Sequence, residues 1–171
     1  KLFSNVNFSI SKNDKIAFYS RDPLAVSYFF DILNGEETAD SGKFEWGTTV
    51  TKAYLPVENG EFFKEPLPMM DWLRQFVPPH VTDADEPFLR GFLGKMLFTG
   101  DEIAKKVNVL SGGEKVRCMV SRMMLQNPNC VILDQPTNHL DLESIIWLEQ
   151  FLKAYSGALL MTSHDREFMN R

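Results

Sequence analysis

Two short pieces of this chain, taken together, narrow what it can fold into. In Leu110-Ser111-Gly112-Gly113-Glu114, Ser111 and Glu114 form an S-x-x-E capping box ahead of Val116, Met119, Val120 and Met123, apolar residues at helical spacing. The two glycines leave the backbone N–H groups of that helix start approachable. A helix start with unpaired N–H groups and the positive dipole end attracts phosphate. The second piece, Val131-Ile132-Leu133-Asp134-Gln135-Pro136-Thr137-Asn138-His139-Leu140-Asp141, is an apolar run ending in an acid and then a Pro-Thr-Asn loop. It reads as a buried strand that delivers a carboxylate at its C-terminal end. Another apolar run, Ala158–Thr162, leads to Ser163-His164-Asp165. Either piece alone is common. Their assembly in this order is not.

In that order the pieces resemble the ATP-binding cassette (ABC) ATPases. Leu110–Glu114 is similar to the signature motif, Ile132–Asp134 to the Walker B strand, Asn138–Asp141 to the D-loop and His164 to the switch histidine. The strings Pro136-Thr137-Asn138-His139-Leu140-Asp141 and Ser163-His164-Asp165-Arg166-Glu167-Phe168 resemble the ABC-F family more narrowly, soluble duplicated-cassette proteins of bacteria that act on ribosomes. The resemblance implies a P-loop NTPase-like α/β fold with a mixed sheet, an N-terminal antiparallel β part, and a helical signature subdomain inserted at about residues 60–126. It implies ATP and Mg²⁺ as ligands. Ser27, Ser111, Gly112, Gly113, Glu114, Asp134 and Asp141 then face nucleotide, Ser27 and Asp134 reach the metal, and Gln135 and His164 stand at the catalytic positions. The implied partners are a second cassette of the same protein and, through the full-length protein, ribosomal RNA. The implied location is the cytoplasm.

One expected motif is degraded. An ABC cassette carries a G-x-x-x-x-G-K-[ST] loop, and the aligned stretch here is Ser20-Arg21-Asp22-Pro23-Leu24-Ala25-Val26-Ser27. Ser20 and Ala25 stand where the glycines belong and Val26 stands where the lysine belongs; Ser27 alone keeps its hydroxyl. No glycine precedes Gly35. A phosphate cradle needs glycine so that successive N–H groups can converge, and needs the lysine for charge. Two further positions depart from the family pattern. Val57 follows Tyr54-Leu55-Pro56 where a glutamine senses the γ-phosphate, and Gln135 replaces the glutamate that polarises the attacking water. The signature half is complete. The expectation is therefore one decayed site, in the second of two cassettes, with Ser111–Gly113 completing the site of the partner cassette. The alternatives are a structural pseudo-ATPase domain or a transporter's nucleotide-binding subunit.

The rest of the sequence fits one cassette spanning residues 1–171 and lacking the fold's C-terminal portion. The hydrophobic and charged fractions, 44% and 24%, are those of a globular protein, and the net charge of −5 gives no global attraction to nucleic acid. No apolar run is long enough to span a bilayer, and Lys1-Leu2-Phe3 opens no signal peptide. Alternation predicts strands over Phe3–Ile10 and Ile16–Tyr19 and a hairpin over Phe44–Leu55. Helices are predicted over Phe29–Leu33, Met69–Phe76, Glu86–Phe98, Asp101–Lys106 and Leu142–Lys153, with strands at Cys130–Leu133 and Ala158–Thr162. Cys118 and Cys130 read as core thiols. Arg90, Lys95, Lys105, Lys106, Lys115, Arg117 and Arg122 crowd the helical region, as a solvated face or an RNA patch.

Overall fold

The computed structural model describes residues 2–170; Lys1 and Arg171, the ends of the expected cassette, lie outside the described residues. These residues divide into two compact units, one holding the residues up to Val57, Pro128–Thr137 and those from Leu148, the other Glu58–Asn127 and Asn138–Trp147.

The first unit is built on four strands: β1 (Lys15–Ala17), β2 (Lys52–Leu55), β3 (Cys130–Asp134) and β4 (Ala158–Thr162). They lie in the order β1-β4-β3-β2, and every pairing is parallel. β3 and β4 are apolar at nearly every position because both their faces are covered, as expected of strands inside a parallel sheet. Helix α1 (Pro23–Asn34) packs against β3. Its start is set by Asp22 as N-cap and Pro23 at the first helical position. Its end is set by Gly35 at φ +90°, where the N–H of Glu36 turns back to the carbonyl of Asp31. Phe30, Ile132 and Leu160 are fully buried at the centre of this unit. Such burial contributes about 1.5–3 kcal/mol per side chain.

The sheet corrects one expectation. The predicted mixed sheet with an N-terminal antiparallel part is absent among the described residues: Phe3–Ile10 and Phe44–Val50 form no strand. Aromatic packing takes the place of a ladder in the first stretch. Phe3 and Phe8 meet Phe29 at 5.7 Å each, and Phe8 meets Phe18 at 5.4 Å. In the second stretch the Val50 N–H closes a turn on Gly47, and Trp46 donates to the Leu33 carbonyl at the end of α1.

The second unit carries α2 (Met69–Arg74), α3 (Glu86–Lys95), α4 (Gly100–Ile103) and α5 (Gly112–Gln126). Helix α6 (Leu142–Ala154) begins in this unit and ends in the first, which also holds α7 (Arg166–Asn170). α3 stops at Lys95, short of the predicted Phe98. Leu97 adopts φ +64° and the Phe98 N–H bonds back to the Leu93 carbonyl, a Schellman closure with leucine in the place glycine usually takes. α5 also ends on a left-handed residue, Asn127 at φ +48°, but only its own N–H turns back, to the Met124 carbonyl, because Pro128 has no N–H to give. Trp72, stacked on Phe63 at 5.0 Å, and Leu73, Leu89, Leu93 and Met119 form the unit's core. Several of its cations are held by its own side chains. Arg90 pairs with Glu86, Lys105 with Glu114, Arg117 covers Phe98, and Arg122 lies between Phe62 and Phe76 at 4.5 and 4.3 Å. Both cysteines are free thiols in the core.

Candidate functional site

In the strand unit, the loop after β1 leads directly into α1, where a phosphate would need free N–H groups. Asp22 has taken them, with its carboxylate and its carbonyl. The Ser20 Oγ accepts from the Asp22 N–H at 3.1 Å, and the Asp22 carboxylate accepts from the Leu24 N–H at 3.1 Å. The Ala25 N–H bonds the Asp22 carbonyl, and Pro23 has no N–H. Val26, at the lysine position, is 7% exposed and packs with Phe30, Ile132 and Leu160. Arginine or lysine chemistry at this spot is thus replaced by a core contact. Val57, at the expected sensor position, is exposed.

Asp134, at the C-terminal end of β3, is 1% exposed, and neither carboxylate oxygen has a hydrogen-bond partner of good geometry. Burial pushes its pKa up to about 6; nearby Asp31 adds to this, while the Ser27 hydroxyl and His164 pull it back. An orphaned carboxylate beside a hydroxyl is a donor set suited to a hard divalent cation. Asp31 was not evident as a neighbour from the sequence, although it lies four residues after Ser27 and therefore on the same face of α1. It accepts a 2.8 Å hydrogen bond from the Tyr54 hydroxyl, whose pKa is raised by burial and then by that bond.

Gln135 sits at φ +51° with its N–H on the Thr162 carbonyl. Its side-chain Oε1 accepts from the His164 N–H at 3.0 Å, so its acceptor is committed to the loop after β4. A second link runs in parallel. Thr137 Oγ1 and Ser163 Oγ are 2.9 Å apart, and Ser163 Oγ also accepts from the Asp165 N–H. The His164 side chain itself is exposed.

In the helical unit the predicted capping box is present. Ser111 Oγ accepts from the Glu114 N–H at 3.2 Å and Glu114 Oε2 accepts from the Ser111 N–H at 2.7 Å. Glu114 Oε1 holds Lys105 Nζ at 2.7 Å. Burial disfavours the Glu114 anion, but Lys105 and Ser111 outweigh it and hold the carboxyl below the usual range. Glu114 thus serves the cap. Gly112 and Gly113 are the first two helical residues, so their N–H groups have no carbonyl within the helix to meet. Ser111 and Gly112 are exposed and Gly113 is half-buried. Asp141, predicted to face nucleotide, caps α6 by accepting from the Ser144 N–H at 2.7 Å, which lowers its pKa.

A parallel sheet with an acid at the end of β3, a loop-to-helix passage after β1 and a glycine-rich capped helix in a separate helical unit define an α/β P-loop ATPase cassette. The chain belongs to the ABC transporter family, whose pattern matches residues 3–138. It is 55% identical over 170 residues to "Uncharacterized ABC transporter ATP-binding protein YkpA" of Bacillus subtilis, aligning 99% of this chain with 31% of that protein. It spans less than a third of that relative's length. Among solved structures it resembles "Dimeric Structure of MJ0796, a Bacterial ABC Transporter Cassette", with TM-score 0.76, 16% identity, and 99% and 82% of the two chains covered. It also resembles the archaeal ribosome recycling factor aABCE1, solved in complex with the ribosomal stalk protein aP1, with TM-score 0.74, 24% identity, and 94% and 31% covered. At those identities the structural likeness speaks to the fold. Among the described residues no helix is long and apolar enough to cross a membrane.

Proposed function

We propose that this chain is one cassette, the second, of an ABC-F type protein that works on ribosomes. Its own Walker loop does not take ATP, and its signature helix completes the ATP site of a partner cassette. The carrying observation is the contrast between two helix starts. At α1 the N–H groups of Leu24 and Ala25 are consumed by Asp22 and the lysine position is a buried valine. At α5 a complete cap presents Gly112 and Gly113 with their N–H groups unspent. This contrast favours phosphate at the second surface over the first.

ATP, held by the partner cassette, would supply the γ-phosphate to Ser111, Gly112 and Gly113. Mg²⁺ fits Ser27 and Asp134 by donor type, but without a phosphate cradle it would be held weakly. Gln135 can accept or donate a hydrogen bond but cannot take a proton from water, a role typically worth about 10²–10⁴ in rate. The ABC-F reading rests on Asn138–Asp141 and Ser163–Phe168, and ribosome action and a cytoplasmic setting come with that family resemblance. Pairing of cassettes is the arrangement of the dimeric relative.

Isothermal titration of this chain with Mg-ATP tests the decayed half. The expected result is no binding in the micromolar range and no turnover above background. Micromolar affinity would contradict the reading of Ser20–Ser27.

A further inference from the structure

The two glycines at the start of α5 do more than leave N–H groups bare. A Cβ placed on Gly112 would lie 2.9 Å from His139 Cβ and 3.3 Å from its Cγ, and one on Gly113 would lie 3.1 Å from the His139 carbonyl oxygen. The first approach is closer than side-chain carbons come. The obstructing atoms are next to the backbone, so a rotamer change of His139 cannot relieve it. His139 is itself at φ +64°, a left-handed conformation uncommon for a residue with a side chain. Two residues on, Asp141 anchors the turn by capping α6. The chain divides just before it: Thr137 belongs to the strand unit, whereas Asn138–Trp147 belongs with α5.

We propose that His139 is a positioning residue for the phosphate-facing end of α5. Its left-handed turn fills the space that the absent Cβ atoms of Gly112 and Gly113 leave, and thereby fixes the direction of the two N–H groups. This rests on the reading that Ser111–Gly113 meet a phosphate of ATP. It gives the glycines a requirement inside the chain, separate from the approach of any ligand. It also makes residues 111–113 and 138–141 a single surface, so a partner cassette meets both or neither.

The test is a size exchange. Gly112→Ala introduces the obstructed Cβ, and His139→Gly removes the atoms it would strike while suiting the left-handed backbone. ATPase is measured in the full-length protein and thermal melting in this chain, for both single variants and the double. Gly112→Ala alone should lose about ten- to a hundredfold in kcat, since misplacement on the order of 1 Å can remove that much. The double variant should recover to within about threefold of His139→Gly, the non-additivity expected of touching residues. Its melting temperature should recover in parallel. Wild-type activity in Gly112→Ala would overturn the proposal. Recovery of melting without recovery of kcat would also overturn it, because the glycine would then serve the phosphate alone. Ser111→Arg, run alongside, separates the underlying reading: full turnover there removes the phosphate role of the signature and the proposal with it.

Discussion

Replacing Asp134 by asparagine removes the one buried carboxyl at the end of β3 and, with it, a penalty that depends on pH. In the folded chain this carboxyl titrates at about 6 rather than the ordinary 3.8, chiefly because burial disfavours its charge. A difference of roughly two pH units is worth about 3 kcal/mol at 1.36 kcal/mol per unit. The folded state binds the proton more tightly than the unfolded state, so stability falls as pH rises. The fall starts near the unfolded pKa, at about pH 4, and the whole penalty is present above about pH 6. Glu102, Glu114 and Asp141 are shifted the other way and lose stability on acidification, so the wild-type profile alone mixes opposing slopes. Subtracting wild type from Asp134→Asn cancels them. Urea unfolding of both proteins should show the variant's relative stability rising by about 3 kcal/mol between about pH 4 and about pH 7.5. The buried amide adds an offset that does not vary with pH. A difference that stays flat across this range would mean that Asp134 is solvated or paired, and would refute the reasoning.

Gln135→Glu should leave the isolated chain without ATP turnover in a phosphate-release assay, because a general base is useful only against a γ-phosphate held in line with water. The same variant should fold normally by circular dichroism, since a carboxylate can accept the His164 N–H as the amide oxygen now does. Val26→Lys, the literal restoration of the motif, should lower the melting temperature rather than create binding. It would put an ammonium among Phe30, Ile132 and Leu160, at about 3–5 kcal/mol for an uncompensated buried charge. Arg122→Lys should cost about 1–2 kcal/mol in urea unfolding, because an ammonium cannot stack between the Phe62 and Phe76 rings as a guanidinium does.

The elements that could be read from the sequence were those with their own punctuation. The Ser111–Glu114 box, the Cys130–Asp134 run and the Asn34-Gly35 stop each carry a local signal, and each is found where the spacing puts it. Phe3–Ile10 misled because alternation reports two faces of different polarity without saying what supplies the ladder, and here Phe18 and Phe29 receive the aromatic side chains. The end of α3 was missed because leucine is a poor predictor of a left-handed closure. At the site, the departure of Ser20–Ser27 from a glycine-and-lysine pattern was legible in the sequence, but the way Asp22 consumes the helix start is a matter of hydrogen-bond geometry. Asp141 and Glu114 match motif positions by type, and the structure spends both as caps. The contact of His139 with Gly112 joins segments far apart in sequence and has no local signature at all.

The claim at the centre of this account is an asymmetry between two halves of one chain, and the steady-state ATPase rate of the full-length protein tests it most directly. Ser111→Arg and Gly113→Asp should each abolish turnover, because a bulky cation or a carboxylate would stand where the N–H groups of α5 meet the γ-phosphate. Asp134→Asn should retain most of it, because on the proposed reading Asp134 serves only the site that does not take ATP. Equal inactivity of Asp134→Asn and Ser111→Arg, with all melting temperatures intact, would contradict the account by making the supposedly silent site necessary for turnover. Full activity in both signature variants would contradict it from the other side and leave this cassette a structural partner.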